Sequence, residues 1–385
     1  MILARLRSFL AAFTFAASTA WLAACSPSVP DTMKIGVLAP QTGASALRGK
    51  DLVNGAQLAV DELNASGYTI NGKPVKFELT TFDDKGDVEA AKQGAQQLVD
   101  ADVTAIIGPL NTPQAVPVMP IVAAKGTPQF FTATGAELTG LASGNAFRLL
   151  ANDDLQGKAM AVFASDNLHA KRIATIVESS AYGRGLNKAF VASLPKSGGP
   201  QVVFTTEVGS KDEVSADAAA KIKGGDVDLV VLFAREPQLA SLFAGLQKVG
   251  HTGITVLGTN VVRNKNVAAQ PVPVKAFYAT ATAIDATEFA HGPEFLNAFQ
   301  KKYNSAPVWG AHYAYDAVYA LADAMRRSPS VKSADVLATI KRIDPATRVL
   351  QNLRFTESGE QRYPNIGVYK AERGIWAPQL VSASW

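Results

Sequence analysis

Ala105-Ile106-Ile107-Gly108-Pro109-Leu110-Asn111-Thr112-Pro113 reads as a short apolar strand, a glycine-proline break and the opening of a helix. A strand with no polar alternation is the kind buried on both faces, as in a parallel sheet covered by helices on either side. The Thr112-Pro113 pair suits an N-cap followed by the first helical position. Helix openings of this kind offer free backbone N–H groups to an anion, and open α/β sheets bind ligands at the carboxyl ends of their strands. Asn111 and Thr112 are therefore candidate contacts for a carboxylate. The competing reading is that Thr112 only caps its helix.

Working outward, the same alternation of strand and helix continues in both directions. Lys34 to Leu38 reads as a strand, and Gly49 to Ala65 as a helix with Leu52, Ala56, Ala59 and Leu63 on one stripe. Val75 to Phe82 alternates apolar and polar residues before Asp83-Asp84, and a helix follows to Val99. A second series restarts after Asp153. Its strands are 173–177, 202–208, 229–232 and 255–257, with helices over 185–194 and 237–249. After a strand over Ala276 to Ala281 come helices at 293–302 and 309–326, a strand near Leu353 to Phe355, and two late β runs around 367–369 and 380–382. Repeated units of this type predict an α/β fold of two doubly wound parallel-sheet lobes, the late pieces completing lobes already begun.

Two further loops carry candidate ligand contacts. Phe131-Thr132-Ala133-Thr134-Gly135 ends an apolar strand with hydroxyls, so Thr132 and Thr134 converge with Thr112 on one ligand. Ser179-Ser180-Ala181-Tyr182-Gly183-Arg184-Gly185 places an aromatic after a strand, where Tyr182 either closes over a bound molecule or lies on the surface between turn glycines.

Catalysis has little to stand on. The four histidines, His169, His251, His291 and His312, are scattered, and none has zinc-ligand spacing with another. Ser193-Leu194-Pro195-Lys196 matches a serine-to-lysine spacing, but a proline sits inside it and the companion motifs are absent. Gly43 to Asp51 misses both the first glycine and the terminal Ser or Thr of a phosphate loop. No enzyme activity, cofactor or metal is expected. The formal charge of +4, of which Arg5 and Arg7 supply two, gives no case for nucleic acid.

The sole cysteine, Cys25, ends Leu22-Ala23-Ala24-Cys25 after a cationic start and an apolar run from Phe9 to Leu22 that is too short to span a bilayer comfortably. The tetrapeptide resembles a bacterial lipobox. Residues 1–24 are then a lipoprotein signal peptide, Cys25 the lipidated first mature residue, and 25–32 a tether outside the cytoplasmic membrane. The alternative is a secreted protein with an incidental thiol.

From Met33 to the C-terminus the chain resembles the leucine/isoleucine/valine-binding proteins, the type I periplasmic solute-binding proteins of branched-chain amino acid ABC transporters. The likeness rests on the order of Lys34-Ile35-Gly36-Val37, Thr42-Gly43, Asn54-Gly55-Ala56, Asp61-Glu62-Leu63-Asn64, Asp83-Asp84, Ile107-Gly108-Pro109, Thr134 with Glu137-Leu138-Thr139, Tyr182-Gly183-Arg184-Gly185 and Tyr315-Asp316-Ala317. It implies three crossovers joining lobe 1 (33–150 with 283–354) to lobe 2 (151–282 with 355–385), a ligand in the cleft, and a membrane permease that recognises the closed form.

By the same resemblance, Thr112 and Thr134 match hydroxyls that hold the ligand carboxylate, Thr132 a backbone contact, and Tyr182 the closing aromatic. Three positions depart. Arg48 and Arg235 stand near places where the family often has aromatics, and Asn260 where it has a glutamate that pairs with the ligand ammonium. The expected solute is a small carboxylated molecule, foremost an apolar amino acid, with dicarboxylates and aromatic acids favoured instead if the two arginines face the cleft. The protein is expected to be a monomer delivering its solute to the permease. The alternative is a ligand sensor or cell-envelope regulator of the same fold.

Overall fold

The computed structural model describes residues 29–385. The leader, Cys25 and the first four residues of the tether lie outside them. The chain is already docked at Val29, which is buried in the core and whose carbonyl accepts from Lys73 Nζ at 2.5 Å. Val29 and Thr32, which the sequence reading placed in the tether, are therefore already part of the fold, Thr32 opening the first strand.

The first sheet is wholly parallel, in the order β4-β1-β5-β6-β7. Strand β1 (Thr32–Ala39) leads to helix α1 (Ala46–Ala65), a small hairpin of β2 (Thr69–Ile70) and β3 (Lys73–Pro74), and edge strand β4 (Lys76–Asp83). Helix α2 (Val88–Asp100), β5 (Ala105–Ile107), α3 (Thr112–Ala124), β6 (Gln129–Phe131), α4 (Leu138–Leu141) and β7 (Ala146–Arg148) follow. All three residues of β5, and of β6, are buried, as a strand covered on both faces requires. After β5 the chain breaks at Gly108, whose φ is +116°; a Cβ there would run into the Leu38 carbonyl, so only glycine fits.

The second sheet runs β14-β13-β12-β11-β10-β8-β9. It is assembled from α5 (Asp153–Val162), β8 (Arg172–Glu178), α6 (Ala181–Ser193), β9 (Gln201–Val208), α7 (Ala216–Gly224), β10 (Leu229–Phe233), α8 (Glu236–Lys248), β11 (Thr255–Gly258), α9 (Lys265–Ala268) and β12 (Ala276–Ala281). Helices α10 (Gly292–Tyr303), α11 (Ala311–Arg327) and α12 (Ser333–Arg342) then return to the first sheet, where Phe295, Phe299, Leu321 and Ile340 share a core with Val37, Leu52 and Ile107. Helix α11 lies against α1 closely enough that Gly55 faces the Ala311 backbone with no room for a Cβ.

The chain ends with β13 (Ile366–Glu372) and β14 (Ile375–Ser382) on the second sheet. It thus passes between the two sheets three times: after Arg148, after Ala281, and between Phe355 and Ile366. Both terminal strands are antiparallel, so this sheet is mixed and not wholly parallel. Arg373 and Gly374, both at positive φ, make a two-residue hairpin that reverses β14 against β13, whereas β13 itself enters antiparallel to β12 by the third crossover and not by a tight turn. The strand expected near Leu353 to Phe355 is absent. Phe355 makes one bridge, to Gln361, and packs its ring on Phe147 and Phe130 at 5.0 and 6.1 Å.

Candidate ligand-binding cleft

Between the two sheets the carboxyl ends of their strands face one another. On the first side, α3 begins with Asn111 in the N-cap position and Thr112 already helical, so the helix starts one residue earlier than the sequence reading had it. Neither caps the helix. The Thr112 hydroxyl accepts from Gly135 N at 3.0 Å, tying this turn to the loop after β6, and Asn111 Oδ1 accepts from Arg48 Nη2 at 3.3 Å. The first turn of α3 is left without a side-chain acceptor. Uncapped N–H groups and the dipole of a 13-residue helix make this an electropositive spot.

The neighbouring loop is fixed from behind. Arg148, fully buried, donates from Nη2 to Gly135 O at 2.8 Å and from Nη1 to Ala133 O, while its Nε meets Glu360 Oε2 at 2.9 Å. Backbone carbonyls on either side of Thr134 are thereby held to one cation. The Thr132 hydroxyl is buried with no hydrogen-bond partner among the described residues. At the first crossover Asp153 N donates to Thr134 O at 2.7 Å. Burial pushes the Asp153 carboxyl up to about 7, against the opposing pull of the Thr134 hydroxyl and Arg148.

The second side is more self-contained. Ser180 caps α6, accepting from Gly183 N at 3.2 Å, so Tyr182 sits in the first helical turn and is buried, not on a loop and not on the surface. Its hydroxyl donates to Asn260 Oδ1 at 2.8 Å; Asn260 Nδ2 donates to Thr282 Oγ1 at 3.2 Å, and Asn260 N to Gln156 Oε1 at 3.2 Å. Burial, and next the nearby Asp153, raise the Tyr182 pKa, keeping it a neutral donor. Arg235 Nε lies 3.0 Å from Glu178 Oε2, and its guanidinium 5.7 Å from the Tyr182 ring.

All eight residues singled out from the sequence, Arg48, Asn111, Thr112, Thr132, Thr134, Tyr182, Arg235 and Asn260, line one cavity between the sheets. Leu110, Val261 and Trp309 complete it; none carries a motif, and sequence reasoning missed them. The space is small, about 20 Å³, little more than one water needs, because side chains from both sides fill it. It adjoins an outer chamber of about 210 Å³ that shares Arg48, Val261 and Trp309 and is rimmed by Glu236, Arg263 and Lys265. A wider groove of about 740 Å³ lies elsewhere, between α1, α10, α11 and residues 346–349, with no residue of the second sheet in its walls. Arg48 packs over the Trp309 ring at 5.4 Å, and burial together with the Arg235 charge lowers its pKa to about 10. Among the described residues no His/Cys/Asp/Glu group is placed to hold a metal ion, and no helix is long and apolar enough to cross a membrane.

Two α/β lobes, three connections and a polar cavity between facing strand ends define a cleft-type binding protein. The match to a family model, described as periplasmic binding protein, runs over residues 32–374. The chain belongs to that family, the extracytoplasmic solute-binding proteins of ABC transporters. It is 28% identical over 356 residues to the Leu/Ile/Val-binding protein BraC3 of Rhizobium johnstonii, covering 91% of this chain and 95% of that protein. Among solved structures, LivJ of Streptococcus pneumoniae, a branched-chain amino acid transporter substrate-binding protein in complex with isoleucine, superposes with a TM-score of 0.78 at 24% identity, covering 91% of this chain and 99% of that one. A solute-binding protein from Rhodopseudomonas palustris in complex with 3,4-dihydroxybenzoic acid gives 0.75 at 21% identity, covering 92% and 98%.

Proposed function

We propose that the protein captures a small carboxylated solute in the cleft and hands it, closed around the ligand, to an ABC permease. The carrying observation is the convergence of the Thr112, Thr132 and Thr134 side chains and the uncapped end of α3 on one cavity, opposite Tyr182 and Asn260. The bare amides are donors and the hydroxyls can donate, and with no carboxylate lining the cavity they are matched by an anionic head group. In this account lobe 1 comprises 33–150 with 283–354 and lobe 2 comprises 151–282 with 355–385. The nearly filled cavity means that solute enters only with the lobes parted, and closure follows as contacts to both walls form.

The relatives support the solute class from two directions: BraC3 and LivJ are named for branched-chain amino acids, and the Rhodopseudomonas protein holds an aromatic acid. Both are carboxylates with an apolar body. The test is a thermal-shift and calorimetric screen of carboxylates, since a ligand bound only by the folded form raises the melting temperature. Thr134→Ala is expected to weaken the best ligand by about 1–3 kcal/mol, the cost of an unsatisfied buried partner; an unchanged Kd places the carboxylate elsewhere. The lipid anchor at Cys25 is a separate proposal. Cys25→Ser is expected to move the protein from the membrane to the soluble fraction, and retention in the membrane contradicts it.

A further inference from the structure

We propose that the solute is an organic acid with no protonated amine, its carboxylate lodged between the Arg48 guanidinium and the open end of α3. The proposal rests on the cleft reading above and narrows it. Its basis is the state of the charges around the cavity. Arg235 is paired with Glu178 at 3.0 Å and Arg263 with Asp285 at 2.5 Å, whereas Arg48 has no carboxylate partner among the described residues; its one hydrogen bond goes to the neutral Asn111. Glu236, the carboxylate that acts on Arg48, is exposed at the mouth and already accepts from Asn264, with Lys265 beside it in the same chamber. A partly buried guanidinium with a vacant fork is matched by a carboxylate, which it can grip bidentately.

Asn111 adds to this. By giving its side-chain oxygen to Arg48 it forgoes the α3 cap, so guanidinium and free helix amides converge on one anion. Meanwhile no carboxylate among the described residues lines the cavity to pair with an ammonium. Asn260 is neutral, its oxygen is taken by the Tyr182 hydroxyl at 2.8 Å, and its amide points to Thr282. The carboxyl set behind Thr134, that of Asp153, is pushed by burial toward its protonated form. A zwitterion would bring a cation to a site already rich in positive charge; an acid without the amine brings only what the site lacks.

The experiment is calorimetry on the purified full-length chain with ligand pairs matched in skeleton: leucine against 4-methyl-2-oxopentanoate, and phenylalanine against 3-phenylpropanoate. The deaminated member is expected to bind at least tenfold tighter in the pair that fits, and Arg48→Gln to reduce that affinity at least tenfold. Asn260→Glu, which supplies an ammonium partner, is expected to shift preference toward the amino acid. If the amino acid binds as well or better in the unaltered protein, the acid proposal falls while the carboxylate cleft stands. If no member of any pair binds, nor succinate or benzoate, the cleft reading falls with it.

Discussion

The two walls of the cleft differ in how much of their hydrogen-bonding capacity is already used. On the second wall Tyr182, Asn260, Thr282 and Gln156 satisfy one another in a chain, with the Thr259 hydroxyl the exception. On the first, the Thr132 hydroxyl has no partner, α3 starts without a cap, and Arg48 faces the space uncompensated by any carboxylate among the described residues. Buried polar groups are ordinarily paired, so a wall that leaves several open is one whose partner comes from outside. On the proposed reading the satisfied wall closes as a rigid body and the open wall recognises the solute.

This contrast breaks most easily from behind the open wall. Arg148→Met removes the cation that holds the carbonyls flanking Thr134 and leaves Glu360 with only the neutral Thr139 and Asn152 as partners. It is expected to cost about 3–5 kcal/mol of folding stability in denaturant melts and to abolish ligand binding. Stability near wild type would mean that the loop holds itself.

The crossover between the walls offers a pH test. Asp153 carries a folded-state pKa raised from 3.8 to about 7, burial being the leading cause. In that window the folded protein keeps a proton that the unfolded chain releases, so stability falls as pH rises from about 4 to 7. Asp153→Asn, which cannot ionise, is expected to lack this slope and to gain on the order of 1–4 kcal/mol relative to wild type at pH 8. Parallel pH–stability curves for the two proteins would show that Asp153 ionises freely.

The smallest effect is expected on the satisfied wall. The Tyr182 hydroxyl is committed to Asn260, so Tyr182→Phe removes a bond within the protein and no ligand contact. Ligand affinity is expected to change by less than about 1 kcal/mol, with stability down by about 0.5–1.5 kcal/mol. A larger loss of affinity than Thr134→Ala would invert the assignment of the walls.

Much of the fold was legible because parallel strands and their helices announce themselves locally. Ile106 and Ile107 carry no polar alternation, and the Leu52-Ala56-Ala59-Leu63 stripe keeps helical spacing. Helices α5, α7 and α12 were not; the alanine-rich α7 offers little apolar contrast, whereas α12 carries it at Val336 and Ile340 and was passed over. The residues that line the cavity were readable from the ends of strands, but their partners were not. Asn and Thr are both good caps, and what removes Asn111 from that role is Arg48, 63 residues earlier. The hold of Glu360 on Arg148 spans 212 residues and leaves no local trace. Trp309, Leu110 and Val261 join the cavity only through the third dimension, and its near closure by side chains is a property of packing that no motif encodes.

The most direct measurement is a crystal structure of the protein with the tightest-binding carboxylate from the screen. The account places the carboxylate between the lobes, within hydrogen-bonding distance of the Thr112 or Thr134 hydroxyl and the first turn of α3. A bound acid in the outer groove of the first lobe, with the cleft still closed on its own side chains, would contradict it.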